Sequence, residues 1–299
     1  MNKKGIIILI VFLSVVCVFL TSGFIYLLST NFEWGSFELG LDFSDAKLLD
    51  TAIYENIEVE ELTIDSKALD VYVEETTGDQ YVLEVYSNNN KIDYSFNNDD
   101  KKLTFKAHNN KGASIVLGYN THGKIVIKIP KENNLNTFLI DAKVGDIKVG
   151  NLEYLNGKIK NTVGDLDVDG FNELTIDLGT GDINLHNVNS VDIKHTTGDL
   201  EIDTVGDITN DSKTGDIKIG DVSLRFNIKS NTGDITINNA SLTEDSVINH
   251  KTGDIRIKKL TGVYVETDSK IGDVKINNND RYAEHTLKIT NKTGDIRIN

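Results

Sequence analysis

The chain has 299 residues and one proline, and its 46 acidic against 31 basic residues give a formal net charge of -15. That charge balance excludes a domain-wide basic surface, so nucleic acid is not an expected partner. The sole cysteine, Cys17, excludes an intrachain disulfide.

Residues 5–28 form an uncharged apolar run long enough to span a bilayer as one helix. Lys3 and Lys4 precede it and Glu33 follows, which places the N-terminus inside and residues 31–299 outside. The expected localisation is a single-pass cell-membrane protein with an extracellular C-terminal region, and the lipid bilayer is its first partner. A cleaved signal peptide is the competing reading. Thr21, Ser22, Gly23 and Ser29 permit cleavage, but the run is longer than the usual signal core and has no Ala-x-Ala site. Cys17 lies mid-run after Val15 and Val16, a poor lipoprotein box, and reads as an apolar filler.

Residues 31–45 carry Phe32, Trp34, Phe37 and Phe43 among acids, and Tyr26 and Trp34 flank the apolar run as interfacial aromatics do. This stretch reads either as a membrane contact or as a linker packed on the next domain. Residues 46–61 have no clear period and admit a short helix. From Leu62 strand patterns begin, with Leu62/Ile64 and then Val71/Val73. The region to Pro130 has longer strands, more aromatics and irregular spacing, which suits a cover over a first coil. The organisation is therefore an anchor at 1–30, a membrane-proximal linker at 31–61, an irregular β region and cap at 62–134, and regular repeats at 135–299.

The repeats are one phrase said nine times, from VGDIKV at 144–149 to TGDIRI at 293–298. Its turn positions are Gly145–Asp146, Gly164–Asp165, Gly181–Asp182, Gly198–Asp199, Gly215–Asp216, Gly233–Asp234, Gly253–Asp254, Gly272–Asp273 and Gly294–Asp295. The glycines recur every 17 to 22 residues. After each Asp comes aliphatic–polar–aliphatic, as in Ile217, Lys218 and Ile219. Period two with one apolar side is a half-buried strand. A second strand precedes most turns, with Ile140, Ile176, Ile193, Ile228, Ile248 and Ile289 inward; Asn210 and Thr267 break that column. Such a pair buries its apolar side only by stacking on copies of itself. The expected fold is all-β: a single-stranded, right-handed parallel β-solenoid (β-helix) with an N-terminal transmembrane helix. An antiparallel sandwich is the rival, but its Asn-Gly hairpin signal occurs once, at Asn156–Gly157.

The glycine supplies a positive φ or a close backbone approach. The aspartate is expected to accept amide hydrogen bonds within its own turn. Stacked carboxylates would repel, and calcium would relieve this, but turn capping accounts for the same residues without a metal. No residue is nominated as catalytic, cofactor-binding or metal-ligating, and no cofactor is expected. His195 and His250 both lie three residues before a turn glycine, where other copies hold Asn161, Ser212, Ser230, Ser269 and Asn291. They read as a polar position of the repeat. His108, His122, His186 and His285 lack metal-ligand spacing.

LTIDSKALDVYV at 62–73, IVIKIP at 125–130 and the serial turns resemble the bacterial putative-adhesin family of unknown function. The resemblance covers about 60–299. It implies a single parallel β-solenoid at the cell surface, and in some relatives a tie to envelope stress. The expected role is a non-enzymatic cell-surface adhesin or envelope-associated binding or scaffold protein. A polysaccharide-active β-helix enzyme and an envelope-stress sensing or regulatory protein are the alternatives. The outward column after the turns becomes basic late in the chain at Lys218, Arg256, Lys275 and Arg297. That makes an anionic envelope polymer or a protein the candidate partner. The chain stops just after the ninth phrase, so Ile298 is expected at an open last coil, a candidate surface for self-association.

Overall fold

The computed structural model describes residues 38–41, 46–87, 92–109, 114–117, 123–152, 155–277 and 279–299. The apolar run at 5–28 and most of the aromatic stretch at 31–45 lie outside these residues. Among the described residues all regular structure is strand, and no helix is long and apolar enough to cross a membrane. The chain divides into two units. In the smaller, Glu38–Leu41 pairs in parallel with Ser114–Leu117. The larger, 44–110 and 120–299, is a parallel β-solenoid of about eight turns.

Each coil has a strand before the corner and a strand after it. Both pair in parallel and in register with the same strands of the neighbouring coil. Ile176 pairs with Ile193 before the corner, and Ile183 with Leu200 after it. The return path adds a third column, in which Phe171, Val188, Val205, Val222, Ala240 and Leu260 follow one another. The three columns face one continuous core, and its aliphatics from Leu62 to Ile298 are almost wholly buried. Burying each such side chain contributes roughly 1.5–3 kcal/mol, so the core rests on the repeat rather than on any one residue. Asn210, which breaks the column, is also buried, and its amide donates to Ser212 Oγ at 2.9 Å.

At both ends the order in space departs from the order in sequence. The coil formed by Glu61–Ser66 and Leu69–Thr76 sits between Thr137–Ala142 and Ile147–Val149 on one side and Lys102–Asn109 and Gly123–Pro130 on the other. Antiparallel strands cover the outermost coil: Ile92–Asp99 lies on Lys102–Asn109, and Tyr81–Ser87 lies on Gly123–Pro130. Lys47–Tyr54 pairs in turn with Tyr81–Ser87. The stretch at 46–61, where the sequence admits a short helix, is thus mostly an edge strand. Leu49, Ala52 and Tyr54 pack against the core from it, a period that its exposed Leu48 and Ile53 obscure.

At the other end the last segment of the chain is not the last coil. His285–Thr293 lies between Ser246–Thr252 and Val263–Ile271, and Ile296–Ile298 lies between Ile255–Thr261 and Val274–Ile276. Ile296 and Ile298 are fully buried, which corrects the expectation of an open edge at Ile298. The open edge belongs to 263–276 instead, where Ile271 is 65% and Val274 43% exposed. Tyr282, in the 277–285 insertion, is 98% exposed and does not cover that end. Asn279 from the same insertion does protect the edge. Its Oδ1 accepts from Val265 N at 2.8 Å, and its Nδ2 donates to Val265 O at 3.0 Å.

Candidate functional site: the Gly–Asp corner

The corner carries the polar residues that recur in every repeat, so it is the place to look for chemistry. All nine corner glycines have φ between +124° and +140°, a region that L side chains rarely adopt. At eight of them a Cβ would also fall within 3.0 Å of the carbonyl of the preceding corner glycine in the stack, closer than real Cβ atoms come. At Gly145 a Cβ would instead lie 2.5 Å from Leu69 O. A side chain is therefore excluded by conformation and by the neighbouring coil together.

The aspartates form a ladder. The Asp182 side chain accepts the Asp199 amide at 2.8 Å, and the Asp199 side chain accepts the Asp216 amide at 2.8 Å. The series runs through Asp146, Asp165, Asp182, Asp199, Asp216, Asp234, Asp254, Asp295 and Asp273, in that spatial order, with bonds of 2.8–3.0 Å. Eight of these nine carboxylates, all but that of Asp273, thus cap the next coil, where the sequence suggested capping within their own turn. The amides on either side of each Asp go the other way: Gly181 N donates to Thr197 O and Ile183 N to Asp199 O. These bonds lie at exposed corners, and a hydrogen bond to a charged acceptor contributes at most about 1.5–3 kcal/mol, which offsets the repulsion of stacked like charges.

Asp70 is a rung that the glycine pattern hides. It accepts the Asp146 amide at 2.9 Å, although Leu69 stands where the later corners have glycine. The signal was the stretch DVYV at 70–73, which has the Asp–aliphatic–polar–aliphatic order without the glycine.

Behind the corner runs a buried polar column that includes Asn161, His195, Ser212, Ser230, His250 and Asn291. Several of its members serve glycine carbonyls. Asn161 Nδ2 donates to Gly145 O at 2.9 Å, and Asn291 Nδ2 reaches Gly253 O and Gly294 O, both at 3.1 Å. His195 Nε2 lies 2.8 Å from Gly181 O, so that nitrogen carries the proton. His250 differs, because neither of its ring nitrogens completes a hydrogen bond. Burial pushes its pKa below the ordinary 6.5, against the smaller opposing pull of nearby backbone at Ser230, Thr252 and Gly233. The unfolded chain therefore binds a proton below about pH 6.5 that the folded chain refuses. Stability is full above that pH and falls as the pH drops toward the lowered folded value. Replacing His250 with Asn, the residue this column uses at Asn161 and Asn291, should flatten that fall. Urea midpoints at pH 7.5 and 5.5 check it, and an equal drop in both proteins would refute it.

Elsewhere the described residues line shallow recesses, two of which are informative. One, of about 120 Å³, lies among Asp182, Asn184, Asp199, Glu201, Asp216 and Lys218, and so belongs to the ladder itself. The other, of about 350 Å³, is lined by Leu135, Leu152 and Leu155 with Glu75, Lys131, Asn133 and Asn151. Glu75 is its one carboxylate among the described lining residues, whereas glycoside cleavage calls for a facing pair. Among the described residues no three His, Cys, Asp or Glu groups converge in a way that could hold a metal ion.

Comparison with solved structures finds a "putative adhesin" from Bacteroides fragilis at 17% identity, covering 81% of this chain and 97% of that one, with a TM-score of 0.40. A "putative lipid binding protein" from Parabacteroides distasonis matches at 14% identity over 88% and 100%, with a TM-score of 0.41. A "putative cell adhesion protein" from Clostridium sporogenes matches at 12% identity over 85% and 99%, with a TM-score of 0.26. No curated protein matches the chain. The profile of the Toastrack DUF4097 family matches residues 59–206 and 186–299, which together hold the whole ladder of corners. On that match the chain belongs to the Toastrack DUF4097 family.

Proposed function

We propose that this protein is a non-enzymatic, surface-displayed solenoid that serves as an adhesin or envelope-associated binding scaffold. The observation that carries this reading is the use made of the repeated acids. Eight of the nine corner carboxylates, all but that of Asp273, hold the backbone of the adjacent coil, so this acidic series is committed to structure. What remains for function is a long solvated face of stacked strands, a geometry suited to binding extended partners.

The winding is right-handed in this proposal, as parallel strand connections almost always are. Residues 5–28 anchor the chain in the membrane, and Lys3 and Lys4 hold its N-terminus inside. The family likeness and the words "adhesin" and "cell adhesion" carried by similar structures agree with such a place. Protease added to intact, wall-stripped cells should remove the solenoid while a cytoplasmic control survives. Full protection of the solenoid under those conditions would overturn the surface location.

A further inference from the structure

The cations of this chain are treated differently along the stack. In the earlier regular coils three of them pair with acids of an adjacent coil, and among the described residues the others there do not form columns of like charge. Lys148 meets Asp167 at 2.6 Å, Lys229 meets Asp211 at 2.7 Å, and Arg225 meets Asp207 at 2.7 Å. Around the last three corners the pattern changes. Two residues before Gly253, Gly294 and Gly272 stand Lys251, Lys292 and Lys270, and three residues after them stand Arg256, Arg297 and Lys275. The register places Arg297 directly between Arg256 and Lys275. His250 pairs with Asn291 and Asn291 with Ser269, so Lys292 likewise falls between Lys251 and Lys270. All six are exposed. Arg297 meets Asp295 at 2.8 Å, and among the described residues the other five have no ion pair.

Two columns of like charge at a coil spacing of about 4.8 Å work against the fold. The negative groups between them are the corner carboxylates Asp254, Asp295 and Asp273, three against six. Of these, Asp254 and Asp295 already accept a neighbouring amide. A protein of net charge -15 thus gathers uncompensated positive charge at one end of its stack, the end opposite the antiparallel cover.

From this we infer that the last three corners bind a linear polyanion with a phosphodiester in each repeat, of the polyol-phosphate kind, laid along the stack. A line of cations at regular spacing matches a line of anions better than it matches one small ligand. Four of the six are lysines, point charges that suit phosphate, whereas planar carboxylates favour the arginine fork. The two columns hold no aromatic residue, so the stacking platform of a single-strand nucleic-acid site is absent from them. This inference rests on the surface location proposed above, but binding in vitro and protease access on cells fail separately.

The test titrates the full-length chain, in neutral detergent, with fluorescently labelled poly(glycerol phosphate). Binding should weaken steeply with added salt. Replacing Lys251, Lys270 and Lys292 together with Gln should lower the affinity at least about tenfold at low salt, since each lost phosphate contact weakens binding. Replacing Lys143, Lys158 and Lys160 with Gln removes the same charge from distant coils and should leave the affinity within about twofold. Unchanged thermal melting of both triple variants guards against misfolding. No binding by the wild type, or equal losses in the two triple variants, would overturn the inference. So would tighter binding per charge to polygalacturonate, to single-stranded DNA or to phosphatidylglycerol vesicles. These outcomes would name a carboxylate polymer, a nucleic acid or a membrane as the occupant instead.

Discussion

Gly215→Ala should destabilise the middle of the solenoid by about 3 kcal/mol or more, the largest effect expected of any single methyl group in this chain. Gly215 has φ +138°, and its missing Cβ would overlap the carbonyl of Gly198 in the adjacent coil. Neither problem can relax independently. Turning φ negative would redirect the Gly215 amide away from Thr232 O and the Asp216 amide away from Asp199 Oδ1. Moving the coil away would stretch the ladder pairs on both sides, from Leu200–Ile217 to Ile217–Ile235. Gly78→Ala is the matched control. Gly78 has no positive φ, and the nearest atom to its Cβ is Thr76 Oγ1 at 3.7 Å, so its change should stay within about 0.5 kcal/mol. Denaturant unfolding of both variants makes the comparison. A loss below about 1 kcal/mol at Gly215 would show that the corner is softer than its geometry requires.

Deleting residues 285–299 should do more than shorten the stack by one coil. Leu287, Ile289, Ile296 and Ile298 are each fully buried, and their removal withdraws an upper estimate of about 6–12 kcal/mol of local burial. The deletion also opens a gap. Val263–Ile271 and Val274–Ile276 pair only with the deleted strands, so they lose their sole attachment to the sheet. Ile248, Ile255 and Ile257, all fully buried, then become the new end. Because repeat arrays unfold piecewise, the reading should be local. Amide exchange at 263–276 is expected to become fast while 166–220 keeps its protection. Retained protection at 263–276 would mean that this segment has closed directly onto 246–257, and the intercalated order would then contribute little.

The inward aliphatics, the corner glycines and the parallel stacking were legible because they share one cause. A coil that must bury Ile217 and Ile219 on copies of itself has to repeat its pattern at every copy. The neighbour relations at the two ends were not legible for the same reason. A phrase that is identical in each coil does not say which other coil it will touch. The hint at the C-terminal end was length, since the step from Gly272 to Gly294 is the longest of the series and leaves room for 277–285 to pass back over one coil. At the other end Asp70 was hidden by a missing glycine, and Lys47–Tyr54 by a strand whose two faces both carry apolar groups. The acceptor for each aspartate was also beyond sequence reasoning. Capping within a turn and capping across coils need the same residue at the same place, and only the register separates them.

The ladder has a direction, and that direction bears on how the protein is made. From Asp146 to Asp254, every corner amide is accepted by a carboxylate that lies earlier in the chain. A nascent chain can therefore set each of these corners on one already complete, as fast as residues emerge. Asp273 is the exception, because its amide is accepted by Asp295, which is made 22 residues later. The corner at Gly272 must wait, unfinished, until Asp295 has appeared. The outermost coil is thus completed only by strands that follow it in the chain, against the order in which the residues are made.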